Sequence, residues 1–496
     1  MSEDEKITQV EENKAMESID INDLDSLLEK SFRSQTEEKT TEISAAVKSL
    51  AQLALQDTKL ISNNVCTTIE GLVGAIDAKM TDQVNEIIHN EKFMKLEGRW
   101  RGLHRLVINS ETSESLKIRF LNADKAELGK LFKKYQGTAF DQSSLFKQFY
   151  ETEYGTAGGQ PISCIIGDYD FSHRAPDIAW IQGIQQVAAA MHAPFITSAN
   201  SDLFNMTTWQ ELANPRDLEK LFASPEYASW RSLREMEDSK YIVLTMPRTL
   251  ARLPYDPTNN PVEEFYFVES IIDNPDDGFV WSNSAYAMGL NINHAFTNYG
   301  WCSCIRGVEN GGVVEGLPVY SFKTDDGGID MRCPTEIAIT DRREAELSKS
   351  GLLPLLHWKN TDYAVFIGAQ SLYKPGEYED PDATANANLS ARLPYLFAVC
   401  RFAHYLKCIV RDKIGSFHTK ESITEYLTNW INKYVVDSNC SVYMKARFPL
   451  SAAEVVVEDD PSNPGYYKSI FYLKPHYQLE GLTVSLRLVS KLPSEK

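Results

Sequence analysis

Glycine, carboxylate, imidazole and thiol groups are where chemistry would reside, and several groupings invite a test. Glycines gather in YGTAGGQP (154–161) and NGGVVEG (310–316), as they do in loops that cradle phosphates. The first lacks the Lys-Ser/Thr pair of a P-loop, and neither shows GxGxxG between strand and helix, so turns are the expected role. DNPDDG (273–278) and TDDGGID (324–330) are rich in oxygen ligands but lack the regular spacing and closing Glu of a calcium loop. Nine histidines form no HExxH, and Cys302-Ser-Cys304 has no partner pair at zinc-site spacing. Asp168 and Asp170 stand at i, i+2 in a strand pattern, which would turn both to one side. A paired-carboxylate site and the solvation or capping of a strand end are the two readings of that pair. No catalytic, cofactor-binding or metal-ligating residue is assigned, and an active site assembled in space from unfamiliar parts stands as the alternative.

One stripe of charge is a different kind of candidate. In the helical pattern PYLFAVCRFAHYLKCIVRDKI (394–414), His404, Lys407 and Arg411 share a narrow arc with Arg401 beside them. In a chain of net charge −19, such a stripe either receives an acidic partner surface or pairs within the molecule. The overall charge opposes binding to nucleic acid. No uncharged apolar run reaches the roughly 18 residues that span a bilayer, so no membrane insertion is expected. The acidic start MSEDEKITQVEEN is unlike a secretory leader, and eight scattered cysteines read as reduced thiols, which together predict a cytoplasmic protein.

Several elements must position these groups, and 496 residues are enough for two or three domains. Residues 1–42 carry 13 acidic against 5 basic residues and read as a largely disordered arm. Within it IDINDLDSLLEKSF sets Ile21, Leu24, Leu27, Leu28 and Phe32 on one face of a short helix, suited to a groove on a partner or on its own domain. Residues 43–95 have helical spacing throughout, and 96–375 read as a mixed α/β core. In that core LKIRFLNAD is a predicted strand, SCIIGDYDF and KYIVLTMP are central-strand patterns, and APDIAWIQGIQQVAAAMHA is an apolar helix. Residues 376–496 form an α+β module: the 394–414 helix, the helix ESITEYLTNWINKYV, then strand patterns CSVYMKARF, AAEVVVE, YYKSIFYL and GLTVSLRLV. In the last run Leu482, Val484, Leu486 and Leu488 alternate with polar residues. Tethered at one end only, that strand either closes a private hairpin or pairs across to a neighbouring subunit.

Read together, these segments resemble the large subunit of the type VI secretion contractile sheath, the TssC/VipB family. The resemblance is carried in order by LEGRWRGLHRLV (96–107), YGTAGGQP with IIGDYDF (154–171), PRTLARLPY (247–255), YGWCSCIRGVENGGVVEGLPVY (299–320), CPTEIAITDRREAELSKSGLLPLLHWKNTD (333–362), ATANANLSARLPY (383–395), RFAHYLKCIVRDKIGSF (401–417) and KPHYQLEGLTVSLRLVSKLP (474–493). It implies a non-enzymatic protein with a fold related to contractile phage-tail sheaths and no cofactor. The implied partners are a small sheath subunit of the TssB/VipA family, further copies of this chain, the Hcp inner tube and the baseplate. The ClpV unfoldase would recycle the contracted sheath by grasping an N-terminal helix, here Leu24, Leu27, Leu28 and Phe32. The strand Leu482, Val484, Leu486 and Leu488 would cross between subunits, and Arg401, His404, Lys407 and Arg411 would face the tube.

Overall fold

The computed structural model describes residues 65–478, apart from 215–216, 258–259, 264, 271–277, 324–325, 417–418 and 460–466. The chain divides into two compact units, Met1–Phe93 with Pro254–Gly278, and Met94–Leu253 with Phe279–Lys496. The first unit contains helix α1 (Val65–Ile88). The 254–278 segment, inside the range expected to be one continuous α/β core, groups with it through polar contacts. Asn85 Nδ2 donates to the Val268 carbonyl, Ser270 N–H donates to Asn85 Oδ1, and His89 meets the buried Glu269 carboxylate at 3.1 Å.

The second unit is built on a four-stranded parallel sheet of strands β1 (Ile165–Phe171), β2 (Phe195–Ala199), β3 (Ile242–Met246) and β4 (Leu352–Pro354), in that order. β2 and β3 are buried along their whole length, which explains why KYIVLTMP is apolar without alternation. SCIIGDYDF supplies β1, an edge strand rather than a central one. Its register against β2 shifts between Ile166 and Asp170, a bulge that breaks simple alternation. Helix α2 (Glu91–Ile108) runs into this unit, helix α3 (Lys125–Lys134) packs on helix α4 (Ala175–Met191), and α4 covers the sheet. Pro176 sits in the first turn of α4, and His192 ends the helix in the left-handed region at φ 53°.

Two close approaches explain LEGRWRGLHRLV. A Cβ at Gly98 would lie 2.2 Å from the Trp281 carbonyl oxygen, and one at Gly102 would lie 2.2 Å from Ser282 Oγ. These glycines, one turn apart on α2, let the helix lie against the Trp281–Ser282 backbone. The expected strand LKIRFLNAD does not form. Residues 116–124 are irregular, Phe120 is 63% exposed, and its ring leans on Trp100 at 5.9 Å. Period-2 alternation describes the segment, but no described strand lies beside it to complete a ladder.

The C-terminal module has a second apolar core of Trp301, Phe402, Leu406, Leu427, Ile431, Leu450, Val455 and Val457. Helix α5 (Ala285–Tyr299) ends at Gly300, where φ is +78°, just before the Trp301 that enters this core. Helix α6 (Asp341–Lys349) precedes β4. Helix α7 (Leu393–Lys413) begins with Pro394 in its first turn and is followed by Gly415 at φ +84°. By length and apolarity alone α7 could cross a bilayer, but more than half of its apolar window is buried against the rest of the chain. Helix α8 (Lys420–Ile431) packs on strand β5 (Leu450–Asp459), which pairs antiparallel with strand β6 (Tyr467–Pro475). CSVYMKARF, expected as a strand, contains a short helix, Val442–Arg447. The Ser441 side chain caps it by accepting from Met444 N–H, a local bond that favours a helix start over a ladder.

Candidate assembly surfaces

The groups with catalytic potential are engaged in structure. Asp168 accepts from Asn283 Nδ2 at 3.2 Å and from the Tyr286 hydroxyl at 3.3 Å, with Arg99 at 3.7 Å. Burial pushes its carboxyl above the usual value, against the pull of Arg99 and Asn283. Asp170, beyond the bulge, faces different groups, with Arg248, Lys125 and Glu336 around it. The two carboxylates are therefore not a matched pair. PRTLARLPY provides internal ion pairs: Arg248 forks onto Glu336, and the buried Arg252 donates to Glu97 at 2.6 Å. Burial raises the Glu97 carboxyl, but Arg252 and Arg101 more than offset it and hold it below the ordinary range. Nothing in the sequence joins Glu97 to Arg252, 155 residues away.

The glycine-rich segments are turns. Gly158 has φ +81°, and a Cβ at Gly159 would strike the Glu153 carbonyl oxygen at 2.5 Å, where the chain folds back on a wide helical turn, Lys147–Gly155. Gly311 has φ +78°, and Gly312 lies against the Phe366 carbonyl. Gly327 turns the Ser321–Lys323 and Ile329–Met331 hairpin. Among the described residues no cluster of three or more His, Cys, Asp or Glu could hold a metal ion.

The basic stripe of α7 is occupied by its own chain. His404 is buried and bonded through Nε2 to the Met191 carbonyl at 2.7 Å. Lys407 donates to the Tyr150 hydroxyl and lies 3.7 Å over the Tyr154 ring. Arg411 donates to the Thr156 carbonyl, and Arg401 to Ser163 Oγ while lying over the Tyr405 ring. Met191, Tyr405 and residues 150–163 thus engage the stripe with carbonyls, hydroxyls and aromatic faces; among the described residues it makes no carboxylate pair.

Among the described residues the β5–β6 hairpin has edges with no partner strand. Nine register pairs join its strands, from Leu450 with Pro475 to Asp459 with Tyr467. On the far side of β5 only a single bridge, Val435 with Leu450, is made, and β6 has no second partner among the described residues. One face packs on α8 and the second core, while Tyr467 and Tyr472 stay 40% and 57% exposed. Such edges carry rows of backbone donors and acceptors able to pair with added strands.

Comparison with known proteins gives this geometry a family. Residues 70–373 match the model of the EvpB/VC_A0108 tail sheath N-terminal domain, VipB, and residues 382–492 match the model of the EvpB/VC_A0108 tail sheath gpW/gp25-like domain. The chain belongs to the VipB tail-sheath family. It is 60% identical over 473 residues to the type VI secretion system sheath protein TssC1 of Pseudomonas aeruginosa, covering 95% of each chain. Solved structures with some likeness are the baseplate of the anti-feeding prophage, at TM-score 0.38 and 9% identity over 76% of this chain and 84% of that one, and its contracted helical sheath, at TM-score 0.31 and 10% identity over 62% and 66%. In VipB-family terms, the four-stranded parallel sheet falls within the N-terminal domain match, and α7, α8 and the hairpin within the C-terminal one. Leu24, Leu27, Leu28 and Phe32, and Leu482, Val484, Leu486 and Leu488, lie outside the described residues.

Proposed function

We propose that this VipB-family chain is a non-enzymatic, cytoplasmic component of a contractile sheath. It forms a heterodimer with a small sheath subunit of the TssB/VipA family and polymerises on a baseplate around an Hcp tube. Contraction then drives that tube outward. The observation that carries the reading is the β5–β6 hairpin, a two-stranded sheet whose outer edges have, apart from the Val435–Leu450 bridge, no strand partner among the described residues, in a chain that also holds the strand pattern Leu482–Leu488. A strand added from a neighbour satisfies the backbone groups of such an edge through main-chain hydrogen bonds. Head-to-tail contacts whose rotation does not close a ring build helical filaments. Strand exchange would keep subunits connected while their bodies rotate, and side-chain surfaces would break and re-form.

An enzyme with an unfamiliar site has no observation in its favour here, since Asp168 is committed to Asn283, Tyr286 and Arg99. After contraction, ClpV would engage Leu24, Leu27, Leu28 and Phe32. Leu28→Asp, which puts a charge on that apolar face, is expected to abolish unfoldase binding in a pull-down; retained binding would place recognition elsewhere. Deleting Leu482–Lys496 is expected to leave a folded heterodimer that builds no sheath by electron microscopy. Normal tubes from the truncated chain would remove the exchange strand from the account.

A further inference from the structure

We propose that Lys117–Asn122 is a docking edge for an extended strand of a second kind of chain, the small sheath subunit. The inference rests on the heterodimer reading above and assigns a surface to it.

The segment is held in place but carries no ladder. No turn or bend interrupts residues 116–124, and Asp124, which closes the run, is extended at φ −80° and ψ 146°. At the start the Leu116 carbonyl accepts from Ser113 N–H, and at the end the Ala123 carbonyl accepts from the Tyr169 hydroxyl at 2.7 Å. In the middle, Arg119 pairs with Glu153 and donates to Gln160 Oε1 at 3.2 Å. Leu116 and Ile118 are half-buried, so one side of the alternation lies on the body. Between these anchors, the backbone N–H and C=O groups of Lys117–Asn122 make no hydrogen bond among the described residues. Six consecutive residues in that state call either for water or for a strand laid alongside.

The side chains around the run favour the strand. Phe120 and Leu121 are exposed, and so is the Trp100 ring, 5.9 Å from Phe120. On α2 the exposed Leu96, Trp100 and Val107 recur at helical spacing, on the side away from the Gly98 and Gly102 that lie on Trp281 and Ser282. A contiguous apolar strip of this kind marks an interaction surface, and an unpaired extended segment beside it is a template for strand addition. The occupant follows from the supply of strands and from charge. Every strand among the described residues already pairs within a sheet, and Leu482–Leu488 is assigned above to the β5–β6 hairpin, so the added strand comes from a different chain. Residues 91–125 hold eight Lys and Arg against five Asp and Glu in a chain of net charge −19, and Lys117 makes no ion pair among the described residues. The strand that fits alternates apolar residues, which cover Phe120 and Trp100, with acidic residues that face Lys117.

The test is amide hydrogen exchange on the full-length chain, alone and coexpressed with the small sheath subunit. Alternate amides of Lys117–Asn122 should exchange rapidly in the chain alone and slow by about 100-fold or more in the complex. Phe120→Asp, at an exposed position, should leave the unfolding midpoint in place and reduce capture of the small subunit by about ten-fold or more. A complex in which Lys117–Asn122 exchanges as it does in the chain alone would overturn the proposal, as would undiminished capture by the Phe120→Asp chain. Protection already complete in the chain alone would give the edge to this chain or to a second copy, and would overturn it too. Chains that fail to associate at all would refute the heterodimer reading itself, and this surface with it.

Discussion

At the scale of single residues, the stripe on α7 shows how a charged pattern becomes architecture. His404 was legible as one of four polar groups on a helix, but not as a core residue, because its acceptor, Met191, is 213 positions away. Its Nδ1 has no partner among the described residues, so a second proton would be a buried donor with no acceptor there. Burial accordingly holds its pKa at about 4, with Arg401, His192 and Lys407 pushing the same way against the Met191 bond. A folded value below the ordinary 6.5 means the unfolded chain binds the extra proton. This contribution to stability is intact above about pH 6.5 and is lost as pH falls toward about 4. Thermal or denaturant unfolding of wild type should therefore lose on the order of 3 kcal/mol more than His404→Gln across that window. Equal losses would show that His404 titrates normally. Tyr150, Tyr154 and Thr156 were equally invisible as partners of Lys407 and Arg411, since nothing in YGTAGGQP marks the segment as the cover of a distant helix.

Elements were legible where burial and periodicity agree. α4 and α7 follow from apolar periodicity with a proline at the start, and β3 from the apolar run KYIVLTMP. Where a pattern depended on a neighbour, sequence fell short. LKIRFLNAD alternates without a partner edge, CSVYMKARF is taken by its Ser441 cap, and the bulge in β1 separates the surroundings of Asp168 and Asp170. The close packing of α2 was likewise hidden, although its two glycines were in plain view. Gly98→Ala should cost about 3 kcal/mol or more, because the new methyl meets a backbone carbonyl that cannot rotate away. Gly74→Ala in α1 has open space and should be neutral or up to about 1 kcal/mol stabilising. Unfolding midpoints of the two variants check this, and a Gly98→Ala chain as stable as wild type would mean α2 does not lie on Trp281.

For the whole molecule, the family was readable because an ordered series of segments, from LEGRWRGLHRLV to KPHYQLEGLTVSLRLVSKLP, matches it nearly end to end. What composition and pattern alone could not decide was whether the terminal strand is private or shared. Pairing choice depends on edges elsewhere in the molecule, and among the described residues those of the β5–β6 hairpin have no partner strand. The account therefore stands on assembly. Its most direct measurement is negative-stain electron microscopy of the full-length chain coexpressed with the proposed small sheath subunit. Long hollow tubes, absent when Leu482–Lys496 is deleted, are the predicted result; discrete particles of fixed size from the full-length pair would contradict it.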